Sequence, residues 1–168
     1  KGKKDPGASV QVIPVAQRGE DAKKAEEGKA LTVREVSIFL VRFDERTEKT
    51  SMAAVRRKVN AENPLDSALA ALIAGPSAGE KRRGYLTAVP ATLRVLDSKI
   101  QNGNAVIDFS GDIEWGATGS VLLSRIDQIV YTATQFEGVG GVIIRINGRR
   151  KNFIGSDGLA IGGPLHRK

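Results

Sequence analysis

No cysteine occurs in the 168 residues, which rules out a disulfide framework, a thiolate zinc site and a cysteine nucleophile. The one histidine, His166, stands two residues from the end, so neither a histidine triad nor a paired-histidine metal site is available. Aromatic residues make up only 5% of the chain against 40% for apolar residues as a whole, so the core has to be aliphatic. The same scarcity leaves the basic runs without the interleaved aromatics that base stacking needs. No run of about 18 apolar residues is present, which excludes a membrane-spanning helix from these residues. The first residue is Lys1, not Met, and the expectation is a removed N-terminal segment: a signal peptide, a lipid anchor or a membrane helix.

Charge is plentiful and mixed. The net charge is +7, with eight basic and five acidic residues over 1–34 and eighteen and fourteen over 35–168. That balance reads as solubility and attraction to an anionic surface, and no nucleic-acid partner is expected. Residues 1–34 are poor in bulky apolar side chains and rich in Lys, Glu, Ala and Gly, so they read as a flexible tether. Residues 35–168 then form a single domain.

Within that domain, hydrophobic period and punctuation place the elements. Val36 to Phe43 is a β-branched and aromatic strand, and Met52 to Val59 alternates as its hairpin partner. Asn63 to Pro76 is the best-marked helix. Asn63 is placed to cap it, Pro64 to open it, and Gly75-Pro76 to stop it. Leu65, Ala68, Leu69, Leu72 and Ile73 form its apolar stripe. Ser77 to Gly84 reads as a loop. Asn102-Gly103 and Asn147-Gly148 are hairpin turns, flanked by strands at Leu93–Ile100, Ala105–Phe109 and Val142–Ile146. Ser120 to Thr134 is a second helix, and Gly155 to Lys168 reads as irregular. The order β-β-α-β-β-α-β predicts an α+β two-layer sandwich. Two helices cover one face of a mixed or antiparallel sheet of four to six strands.

Catalytic patterns are weak. Gly75-Pro-Ser-Ala-Gly-Glu-Lys81 has the wrong spacing for a phosphate loop and follows a helix. Gly138-Val-Gly-Gly141 reads as a tight connection into a strand, not a nucleotide clamp. Asp108, Asp112 and Glu114 lack calcium-loop spacing. No cofactor and no metal ligand set is assigned. Three basic runs remain as the candidate binding surface: Arg56-Arg57-Lys58, Lys81-Arg82-Arg83 and Arg149-Arg150-Lys151. The competing explanation is that they blunt sheet edges.

Five stretches carry a family resemblance. They are P-L-D-S-A-L-A-A-L-I-A-G-P from Pro64, V-P-A-T-L-R-V-L from Val89, N-A-V-I-D-F-S from Asn104, Q-I-V-Y-T-A-T from Gln128, and the strand ending at Asn147-Gly148. Over about Val36 to Leu165 the chain resembles the GerMN domain of sporulation and spore-germination proteins. The resemblance implies a fold similar to ring-building modules. It also implies a non-catalytic domain in the periplasm or on the outer face of the cytoplasmic membrane, anchored through its N-terminal side. The expected role is protein–protein contact in an envelope or sporulation-type assembly, with envelope proteins or further copies of itself as partners. One alternative is a module for cell-wall polymer (peptidoglycan) or an anionic lipid surface. A remoter one is a small hydrolase using Asp108, Asp112, Glu114 or Tyr131.

Overall fold

Alternating Val36, Ile38 and Leu40 give the middle of the first strand an apolar face, and all three are buried. The computed structural model describes residues 32–116 and 118–168, so the expected tether lies outside the described residues except for its last three positions. Strand β1 spans Val33–Asp44 and β2 spans Lys49–Asn60, paired antiparallel along all twelve residues. The Asp44 carboxylate accepts from Arg46 N–H at 2.8 Å, which organises the turn between them.

Helix α1 (Pro64–Ala74) follows. Leu65, Ala68, Leu69 and Leu72 are buried and Ile73 is half-buried, as the stripe requires. Asn63 does occupy the N-cap position, but its side chain makes no capping bond. Gly75 closes the helix at φ 81°, ψ −169°, with its N–H donating to Ala71 O and Leu72 O. That backbone region is open essentially to glycine alone. A Cβ there would meet only Thr87 Cγ2, at an ordinary 3.6 Å, so the penalty for a side chain is conformational and not steric. Gly75→Val is therefore expected to lower stability by about 1–3 kcal/mol. A thermal melt reads this directly, and an unchanged midpoint would remove the assignment.

The stretch read as a loop contains a five-residue helix, α2 (Ala78–Arg82). Ser77 Oγ accepts from Glu80 N–H and Glu80 accepts from Ser77 N–H, a reciprocal capping box. Strand β3 (Tyr85–Leu86) then pairs antiparallel with β1, giving a three-stranded sheet in the order β2-β1-β3.

The second sheet has the order β4-β5-β6-β7, built from Val95–Gln101, Asn104–Phe109, Gly141–Ile146 and Arg149–Arg150. Both Asn-Gly turns adopt the expected positive φ at both positions: 54° and 79° at Asn102-Gly103, 51° and 80° at Asn147-Gly148. A 3-10 turn (Gly111–Glu114) and helix α3 (Gly119–Ala133) form the crossover between β5 and β6, which run parallel. Phe153–Ile154 (β8) pairs with Leu159–Ala160 (β9), not back onto the sheet. The glycine-rich end is not irregular throughout, because Leu165 and Val142 exchange two backbone bonds at 2.8 Å.

The fold is α+β, as expected, with the strands divided between two sheets and a small hairpin. Helix α1 packs on β1, β2 and β4, α3 packs on β1 and β6, and the two helices touch. The core is aliphatic, and among the described residues Phe109 and Phe136 are its buried rings.

Candidate functional site

The three basic runs land in different settings. Arg56 and Lys58 are exposed on β2, and Arg56 pairs with Glu35 across the hairpin at 3.2 Å. Arg57 points to the other face and is only partly exposed. Its guanidinium grips both oxygens of Glu80, at 2.6 and 2.9 Å. This fork ties β2 to α2 and brings the first run beside the second. Lys81, Arg82 and Arg83 close α2 and are exposed. The third run lies on the other sheet. There Arg150 donates to Gly162 O at 2.7 Å and Lys151 pairs with Glu114 at 3.1 Å, while Arg149 is exposed.

Glu80 is buried, and the hydrogen bonds from Arg57 hold its carboxyl down to about 2 from 4.5. Burial pushes the other way, and the Ser77 N–H adds to the lowering. Arg125 is buried as well. Its guanidinium donates to Ile113 O, Trp115 O and Ala88 O, pinning the 3-10 turn against α3, and burial lowers its pKa.

Two of the three carboxylates considered for chemistry, Asp108 and Glu114, are occupied by backbone and lysine partners. Asp108 accepts from Gly148 N–H at 2.8 Å and steadies the second Asn-Gly turn. Glu114 holds Lys151 and Gly155 N–H. Tyr131 donates to Lys168 O at 3.1 Å. Among the described residues no group of three His, Cys, Asp or Glu side chains stands where a metal ion would bind. Three open clefts are lined around Asn63–Asp66, around Leu93–Ser98 and around Arg42–Arg46, and none of the three includes Asp108, Asp112, Glu114 or Tyr131.

The two edges of the first sheet differ in kind. On the inner side of β1, polar side chains of α3 and the turn after it substitute for a strand. Gln135 accepts from Ser37 N–H at 2.9 Å and donates to Ser37 O at 2.6 Å. Thr132 Oγ1 accepts from Phe39 N–H at 3.1 Å, and Gln128 donates to Phe39 O at 3.0 Å. Gln128 also joins Thr87 Oγ1 and Ala88 N–H, and both Gln128 and Thr132 are fully buried. The outer side of β2, by contrast, has no strand partner among the described residues over its twelve-residue length.

Sequence reasoning missed Arg42 and Arg46, which share a cleft with Arg82 and Arg83, because neither belongs to a basic run. It also missed Glu80 as the partner of Arg57, although Ser77-x-x-Glu80 is a legible capping box.

Comparison with known proteins agrees with this architecture. The family described as Germane, sporulation and spore germination, matches residues 37–152. The tandem GerMN domains of the sporulation protein GerM from Bacillus subtilis superpose with a TM-score of 0.66 at 18% identity, over 96% of this chain and 60% of that one. The chain thus spans less than two-thirds of the tandem. The first GerMN domain of the same protein gives a TM-score of 0.62 at 22% identity, covering 80% of this chain and 98% of that one. A proposed lipoprotein from Clostridium perfringens gives 0.55 at 18% identity, covering 80% and 87%. At these identities the likeness is one of fold. No curated protein matches the chain.

Proposed function

Since the chain belongs to the Germane family of sporulation and spore germination domains and carries a GerMN domain, we propose that it is a non-catalytic, extracytoplasmic docking domain of a bacterial envelope assembly. The observation that carries this reading is the asymmetry of the first sheet. One edge of β1 is closed by polar side chains of α3 and its exit, and among the described residues β2 has no strand partner on its outer edge over twelve residues. An open edge of that length is a template for strand addition, with main-chain bonds for affinity. The Bacillus subtilis protein that shares the fold is a sporulation protein, and the Clostridium perfringens one is a proposed lipoprotein. The lipoprotein description agrees with placement outside the cytoplasmic membrane.

The absence of native cysteine makes the test direct. Single-cysteine variants at the exposed β2 positions Ser51, Ala54 and Lys58 are expected to give cross-linked adducts in the envelope of the producing cell. Ser156→Cys, on an exposed loop of the β8–β9 hairpin, is expected to give none. A protein that stays monomeric across concentration, with no adduct on β2, would end this reading.

A further inference from the structure

We propose that the end of the molecule formed by residues 42–46 and 81–86 is a docking face for an anionic lipid surface. β3 brings the two segments together: Val41 pairs with Leu86, Arg42 with Tyr85, and Phe43 N–H donates to Gly84 O at 2.9 Å. Arg42, Arg46, Arg82 and Arg83 line one open cleft there, against two carboxylates, Asp44 and Glu45. Arg46 stands 3.9 Å from Asp44, a distant and exposed pair. Arg82 and Arg83 have no carboxylate partner among the described residues. Arg42 is oriented by the Tyr85 ring, 5.3 Å from its guanidinium carbon, and by Arg83 O at 3.4 Å.

Cations alone would suit any polyanion. What selects a bilayer is the apolar surface beside them. Leu86 is 50% exposed and Phe43 37% exposed, at the same end of the sheet and on the face opposite to Arg42. A soluble phosphate compound gives such side chains nothing to enter. A lipid surface offers phosphate oxygens at headgroup level and acyl chains just beneath, matching a sheet end that carries both arginines and protruding apolar residues. The third basic run differs, since Arg150 and Lys151 are already engaged by Gly162 O and Glu114.

The test is co-sedimentation of the full chain with vesicles of pure phosphatidylcholine, and with vesicles containing about one-third phosphatidylglycerol, the anionic component that basic side chains would sense. Binding is expected only to the anionic vesicles and is expected to fall as salt rises. Arg82→Ala/Arg83→Ala should weaken it about 25-fold, at about five-fold for each cation near the surface. Leu86→Ser should weaken it several-fold, and Arg149→Glu, on the other sheet, should leave it nearly unchanged. All of these positions are exposed, and a melt confirms folding of each variant. Equal binding to both vesicles, or equal loss with Arg149→Glu, would overturn the proposal. So would glycerol phosphate competing fully while Leu86→Ser has no effect, because that outcome marks a soluble-phosphate site. The β2 cross-links are expected to persist in Arg82→Ala/Arg83→Ala, so failure on vesicles and failure of the docking-domain reading are separable.

Discussion

Gln128→Leu is expected to melt the domain roughly 10–20 °C below the parent protein, the scale set by a loss of about 3–5 kcal/mol in a domain of this size. Leucine fits the space in volume but satisfies nothing. Phe39 O and Ala88 N–H lose their fully buried partner, and Thr87 Oγ1 loses a donor. Each orphaned buried group costs about 1–3 kcal/mol, more than the apolar gain of the leucine returns. Thr132→Val is a milder control. It keeps the shape, removes only the acceptor for Phe39 N–H, and should cost about 1–2 kcal/mol. Chemical denaturation of both variants checks the ranking. A Gln128→Leu protein as stable as the parent would mean that α3 does not serve as a substitute strand.

The second large effect concerns acid. Glu80 titrates at about 2 in the folded domain against 4.5 for a free glutamate, chiefly because Arg57 hydrogen-bonds its ionised form. A depressed carboxyl contributes stability that is fully present above the unfolded value and is lost as pH falls through the folded value. The window is therefore between pH 4.5 and about 2. Through it the parent should lose on the order of 2 kcal/mol that Glu80→Gln does not lose, because the glutamine has no proton to take up. Above the window Glu80→Gln should be the less stable protein, having replaced a charge-assisted fork by neutral bonds. Denaturant midpoints measured at neutral pH and down that range, for both proteins, give the comparison. Parallel curves would show that the Arg57–Glu80 fork contributes no linkage.

These two groups also mark where the sequence could and could not be read. Helix α1, the hairpins at Asn102-Gly103 and Asn147-Gly148, and the apolar stripes were legible because each is fixed by neighbours within a few residues. The buried polar stripe was not. Gln128, Thr132 and Gln135 fall on one side of α3 and its exit, and polar residues on a helix ordinarily face water. Only the arrival of β1, 98 residues earlier at Ser37, gives them a buried use. The start of α3 is similar. Its N-cap residue Thr118 makes no side-chain bond, and Gly119 N–H is instead taken by Asp157 from the β8–β9 hairpin at 2.7 Å. Among the basic residues, runs were visible as runs. That Arg57 turns inward to Glu80, and that Arg42 and Arg46 gather with Arg82 and Arg83, follows from strand alternation and from β3, which no local pattern announces.

The stitching of β1 also sets an order of events. Ser37 and Phe39 belong to the first element of the domain, yet their backbone partners reside in α3 and the turn beyond it. Arg167, well beyond α3 in sequence, stacks over both Phe39 and Tyr131, at 5.0 and 4.8 Å. A β1–β2 hairpin emerging during synthesis therefore has an unfinished edge until α3 and the turn beyond it, more than 90 residues later, have followed. Contacts this distant in sequence make for slow, late, all-or-none folding. The unfinished edge of the nascent hairpin is then the point at which a chaperone, or a second unfinished copy, would engage the chain first.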